Sequence, residues 1–172
     1  MDELTSVLQA ATAAIEPSYF HLNIDGGDPV YRERVYCYEL YHQMRMLWPK
    51  ETPFYLNGEI DKATHPILME LGADFAKPDL LVHTPGYMSG NFAVIEVKSP
   101  AASNSGIRTD LSKLSLFLNA VGYQRGIYLL YGYEAESTFK RIQSIVADKP
   151  DALGATELWV HAQPSVPAER WL

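Results

Sequence analysis

Pro78-Asp79-Leu80-Leu81-Val82-His83 and Phe92-Ala93-Val94-Ile95-Glu96-Val97-Lys98 decide how this chain is read. Both are short runs rich in aliphatic and aromatic residues. They are bounded by Pro78, Pro85-Gly86 and Pro100, so they predict strands over 79–83 and 92–98. The short glycine-containing connection between them predicts a hairpin. Side chains alternate along a strand, so Glu96 and Lys98 share one face while Ala93, Ile95 and Val97 share the other. A Glu and a Lys in so apolar a strand are costly unless they are paired or solvated in a cleft. Asp79 opens the neighbouring strand, and hairpin pairing brings its carboxylate towards that of Glu96.

Outward from these strands the pattern predicts an α/β domain with a mixed sheet. A further strand precedes them over 54–60. Gly26-Gly27-Asp28-Pro29 predicts a turn and a helix start, with Asp28 as the N-cap and Pro29 in the first turn. That helix should run from 29 to 47, where Trp48-Pro49 ends it. Val35, Glu39, His42 and Met46 share one face of it, and Cys37, Leu40, Met44 and Leu47 another, so it should be buried on two sides. An N-terminal helix is expected over 3–15. Downstream, Ile107, Leu111, Leu114, Leu118 and Val121 form the apolar stripe of a helix over 107–119, with Gly122 as its stop. A buried strand (126–132), a helix (136–147), a last strand (156–161) and an irregular tail follow. The step from the 92–98 strand through that helix to the 126–132 strand is long enough for a parallel crossover.

The 172 residues suit one domain, 1–172, with a real core. Lys and Arg number 14 against 21 Asp and Glu, a net charge of −7, which argues against a histone-like coat of DNA and against a membrane-surface binder. The single cysteine, Cys37, excludes an internal disulfide and a multi-cysteine zinc site. The N-terminus lacks the basic start of a signal peptide, and no apolar run approaches the ~20 residues of a membrane span. The expectation is a soluble cytoplasmic protein with no membrane partner.

Two converging carboxylates repel each other unless a proton or a cation lies between them. Oxygen donors of this kind suit Mg2+ or Mn2+ and not zinc. Such an ion binds a phosphate oxygen and a water together, and a neighbouring lysine orients the water or neutralises charge developing at phosphorus. The reaction these residues predict is metal-assisted phosphodiester hydrolysis.

Pro78-Asp79, then Glu96-Val97-Lys98, behind a helix carrying Glu39, resembles the PD-(D/E)xK nuclease superfamily, which has the restriction-endonuclease-like fold. The resemblance covers about residues 29–131, in the order helix, three strands, helix, strand. It implies Asp79 and Glu96 as metal ligands, Lys98 as the catalytic lysine and the Val97 carbonyl as a further ligand. It also implies a helical acid completing the site. Glu39 is the best match, with Asp28, Glu33 and Glu59 as rivals. The Gln and Tyr that recombination-helicase nuclease domains carry on the following helix are missing, since Gln124 and Tyr128 lie beyond it. By this resemblance the chain is a Mg2+-dependent nuclease acting on nucleic acid, most naturally DNA, within a defence, restriction or repair system.

Plainer roles stand beside these. Asp79 could be a turn residue, Glu96 and Lys98 a solvated charged face, and Glu39 a partner of Arg32 or Arg45. His83 shares the Asp79 face and either flanks the cleft or is a hydrogen-bonded core histidine. His42, one turn from Glu39, has the same two readings. Arg108, Lys113 and Arg125 could touch phosphates or serve the fold. Tyr31, Tyr38 and Tyr41 suggest base stacking but also core or rim packing. Ser99 has no recognisable His–Asp partner, and Cys37 reads as a small core residue. The alternative function is a non-catalytic nuclease-like subunit that binds a partner protein or nucleic acid. The acidity implies that a partner subunit or a second protomer of a homodimer delivers the substrate.

Overall fold

Hydrophobic alternation and helical spacing set the elements in the computed structural model, which describes residues 2–59, 66–70, 76–147 and 154–172. In chain order they are α1 (Asp2–Ala13), α2 (Pro17–Phe20), β1 (Leu22–Ile24), β2 (Gly27–Val30), α3 (Glu33–Met46), β3 (Tyr55–Asn57) and α4 (Pro66–Glu70). Then follow β4 (Leu80–His83), β5 (Asn91–Lys98), α5 (Asn104–Asn119), β6 (Arg125–Tyr131), α6 (Ala135–Ala147), β7 (Thr156–His161) and β8 (Glu169–Arg170). The main sheet has six strands in the order β3-β4-β5-β6-β7-β8. β3, β4 and β5 run antiparallel, β5, β6 and β7 parallel, and β8 antiparallel to β7. The expected mixed sheet, hairpin and parallel crossover are therefore present.

Alternation along the strands splits the core into two layers. Ala93, Ile95 and Val97 pack with Ile127 and Leu129 beneath Leu4 and Leu8 of α1 and Tyr36, Leu40 and Met44 of α3. Val94, Tyr128 and Leu130 pack on the opposite face with Ile107, Leu111, Leu114 and Phe117 of α5 and Ile142 of α6. Ser103 caps α5, its hydroxyl accepting the Gly106 N–H at 3.1 Å. Gly122, at φ +81°, turns the chain after that helix as its sequence predicts.

Several expectations are corrected. Gly26-Gly27-Asp28-Pro29 does not start a helix. Asp25-Gly26 is the two-residue turn of a hairpin, with Ile24 opposite Gly27 and Gly26 at φ +73°. An Asp-Gly pair favours that turn, and Pro29 is tolerated because its strand belongs to a two-stranded ribbon. Asp28 is consequently an exposed strand residue, not an N-cap. α3 begins four residues later, at Glu33, after Arg32, whose side chain makes no cap. It is buried along one stripe, Tyr36, Leu40 and Met44, while Met46 and Leu47 are exposed. α1 ends at Ala13, although Ile15 beyond it is fully buried. The first sheet strand spans only 55–57, and Ile60 lies outside the described residues. The tail is not wholly irregular, since Trp159 and Val160 pair with Arg170 and Glu169 of β8. No described helix is long and apolar enough to cross a membrane.

Candidate active site

The β4–β5 register pairs Leu80 with Ile95 and Leu81 with Val94. One further step sets Asp79 opposite Glu96. The Val97 N–H donates to Asp79 Oδ2 at 2.8 Å, which fixes that carboxylate across the strand junction. Glu96 is 1% exposed, and its Oε1 lies 2.9 Å from Lys113 Nζ of α5 as an ion pair. Asp110, one turn back on α5, joins two lysines: Oδ1 is 3.3 Å from Lys113 Nζ and Oδ2 is 3.1 Å from Lys98 Nζ. Lys98 Nζ also donates to Glu33 Oε2 at 3.1 Å. Glu33 Oε1 accepts from the Ser99 N–H at 3.2 Å and the Ser99 hydroxyl at 3.1 Å.

Three elements converge to build this cluster. The β4–β5 hairpin supplies Asp79, Glu96 and Lys98. The first turn of α3 supplies Glu33, where the helix dipole favours a carboxylate. The buried stripe of α5 supplies Asp110, with Lys113 beside it. Four carboxylates meet two ammonium groups, so the fully ionised cluster is two charges negative.

Its electrostatics follow from that imbalance. Burial, then the Asp79 charge, pushes the Glu96 carboxyl well above the usual range, against the pull of Lys113. Burial also raises Asp79, opposed by the Val97 hydrogen bond and by Lys98 and Lys113. Burial works against the Lys98 ammonium, but Asp110 and Glu33 outweigh it and hold its pKa above the ordinary lysine value. Lys113 is likewise raised against burial by Glu96 and Asp110. Cys37 of α3 adjoins the same carboxylates. Burial, then Asp79, Glu33 and Glu96, pushes its thiol up, which disfavours a thiolate nucleophile. The hydroxyl of Tyr128, the residue paired with Glu96 across β5–β6, is buried without a hydrogen-bond partner among the described residues.

An open cleft of about 640 Å³ lies between α3 and the edge of β3. Glu33, Glu59 and Asp79 line it with Arg34, Tyr38 and Tyr41. Glu59 is exposed and 3.5 Å from Arg34. Among the described residues no group of three or more His, Cys, Asp or Glu side chains is gathered as a metal cage.

Comparison with family models, with curated proteins and with solved structures returns no match. The site must be judged on its own geometry.

That geometry brings Asp79, Glu96 and Lys98 together and leaves several other candidates aside. Glu39 accepts a 2.6 Å hydrogen bond from Gln43 and does not line the cleft. It lies six residues beyond Glu33, about 120° away around the helix. Glu33, not Glu39, is the α3 acid that contacts this cluster. Val97 offers its N–H to Asp79. His83, at the far end of β4 from Asp79, bonds Asn57 Oδ1 at 2.9 Å, and His42 is exposed. Lys113 belongs to the cluster, Arg108 is exposed on α5, and Ser99 holds Glu33. Arg125 is committed to Glu157 at 2.7 and 2.8 Å and to Thr5, beside Ala93 at the opposite end of β5. Asp110 had no place in the expected site. Its signal was legible, because it falls between Ile107 and Leu111–Leu114 on the apolar stripe of α5, where an acid needs a reason.

Proposed function

We propose that this protein is a metal-dependent nuclease of the PD-(D/E)xK, restriction-endonuclease-like kind, with Asp79, Glu96 and Lys98 at its centre and Glu33 as the helical acid. The observation that carries the reading is that Asp79, bonded to the Val97 N–H, sits beside Glu96 where β4 meets β5, with Lys98 two residues on. The order α3, β3, β4, β5, α5, β6 around that pair, interrupted by the short α4 between β3 and β4, supports it. The donor set also fits: two facing carboxylates offer only hard oxygens, and Mg2+ or Mn2+ binds through one or two carboxylates while keeping several waters. The cluster's two excess negative charges match a divalent ion. Such an ion, when bound, supplies a polarised phosphate oxygen and an activated water.

The chain's own groups do the rest. Asp79 is aimed by the Val97 N–H. Lys113 and Asp110 hold Glu96 and Lys98 in register. Lys98, kept protonated by Asp110 and Glu33, is suited to stabilise charge developing on phosphate oxygens and not to remove a proton. Glu33 fixes the height of Lys98 and ties it to Ser99.

The test is incubation of purified protein with single- and double-stranded DNA and RNA, in Mg2+ or Mn2+ against EDTA. Cleavage that needs metal and disappears in Lys98→Ala is expected. Metal-independent cleavage, or undiminished cleavage by Lys98→Ala, would overturn the reading. One observation favours a second reading, a non-catalytic subunit: both lysines are already spent neutralising carboxylates within the chain. That reading predicts no cleavage under any metal and a partner protein recovered with the chain from its source cell.

A further inference from the structure

Arg34, Tyr38 and Tyr41 lie at i, i+4 and i+7 on α3, so they form one stripe along the cleft wall. Tyr38 is 67% exposed, an unusual placement for a large ring beside a buried charged cluster. Tyr41 is half-buried, with its hydroxyl 3.5 Å from the Leu56 carbonyl of β3. The opposite wall is polar and acidic, with Asn57 and Glu59, and Asp79 opens into the same space.

These walls select what can enter. Arg34 pairs with Glu59 and Glu33 with Lys98, so a phosphodiester passing Asp79 needs a bound cation, while the tyrosines offer their faces to a neutral ring. A volume of about 640 Å³ suits a ligand of one or two nucleotides. A separate groove of about 480 Å³ lies on the other side of the cluster, walled by Ala76 and Leu116, where the exposed Arg108 offers a guanidinium and Thr109 and Ser112 offer hydroxyls. Lys113 lines that groove and contacts Glu96, so the groove abuts the centre.

We infer that the substrate is single-stranded nucleic acid, with a base stacked on Tyr38 in the α3–β3 cleft and the backbone running over Asp79 and Glu96 towards the Lys77–Arg108 groove. The inference rests on the nuclease reading for the role of the centre, but its binding mode stands separately. It also accounts for recognition by an acidic chain. Stacking is tolerant of sequence and adds affinity that phosphate neutralisation by 14 Lys and Arg among 21 acids does not supply. Bases inside a duplex have no face to offer Tyr38.

Fluorescence anisotropy tests this with the full chain in Ca2+, using short labelled oligonucleotides of the same mixed sequence as single-stranded DNA, single-stranded RNA and duplex DNA. At least one single strand should bind about tenfold or more tightly than the duplex. Tyr38→Ala should weaken that binding about tenfold, and Tyr38→Trp should restore it. The exposure of Tyr38 means that the thermal melt of either variant should match the parent. Equal or tighter binding of duplex, or Tyr38→Ala binding as well as the parent, overturns the inference. Metal-dependent duplex cleavage in that case would leave the nuclease reading standing. Tyr38-dependent single-strand binding without cleavage in any metal would instead support the stacking site and defeat the nuclease reading.

Discussion

Glu96 in β5 and Glu157 in β7 are both buried strand glutamates, at 1% and 6% exposure, and they have opposite fates. Glu157 accepts from Arg125 at 2.7 and 2.8 Å and from Trp159 Nε1 at 2.9 Å, with Arg170 at 3.6 Å. These donors overcome burial and hold its carboxyl below the usual range. Glu96 has a single lysine partner and lies beside Asp79, and burial, then the Asp79 charge, pushes its carboxyl up. A fork of guanidinium and indole donors completes a buried carboxylate. A second carboxylate leaves it short of positive charge. The first arrangement is a staple between β6, β7 and β8. The second stores electrostatic cost at the carboxyl end of β5, the pattern expected where a charged ligand is to bind.

Exchanging the two glutamates' chemistry separates these roles most strongly through activity. Glu96→Gln and Asp79→Asn should lower metal-dependent cleavage by about 10²–10³-fold or more, with a melting temperature unchanged or raised. Initial-rate assays beside a thermal melt check this, and a marked loss of stability would blur the contrast. Glu157→Ala should do the reverse. Leaving Arg125 without its carboxylate costs about 3 kcal/mol of stability, read in urea unfolding, with cleavage per folded molecule retained.

Acidity distinguishes the two ends next. The raised Asp79 and Glu96 contribute stability that is complete below the ordinary carboxylate pKa and is lost as pH rises through their folded values. Glu157 contributes stability present above its ordinary value and lost as pH falls through its lowered one. Urea titrations across pH should therefore show Glu96→Gln flattening the alkaline-side decline and Glu157→Gln flattening the acid-side loss. Mn2+ affinity, measured by calorimetry, should tighten as pH rises through the raised carboxylates, and Glu96→Gln should weaken that dependence.

A third buried titratable group should change stability in acid and leave cleavage untouched. His161 accepts or donates a 2.7 Å bond with the Tyr36 hydroxyl, and burial lowers its pKa to about 4. Unfolded chains take up this proton near pH 6.5, so its contribution is lost as pH falls from there towards about 4, up to about 3 kcal/mol. His161→Gln should remove that acid slope and leave the difference between Glu96 and Glu157 intact.

Much of the fold and half of the centre were legible because strand geometry is local. A period of two residues and a short connection put Asp79, Glu96 and Lys98 together from sequence alone. The order of the main elements from α3 to β6 and the parallel crossover follow from the same patterning, whereas the short α4 between β3 and β4 was not legible in it. Helical residues are less forgiving. Their direction depends on where the helix starts and which side it packs, and the Asp25-Gly26 hairpin moved the start of α3 to Glu33. Tertiary packing alone chose Glu33 over Glu39, joined Asp110 and Lys113 of α5 to the cluster, and committed Arg125 to Glu157 at the far end of the sheet. Each of these contacts spans distant segments or rests on a rotation about a helix axis, and neither is encoded in the spacing of one motif.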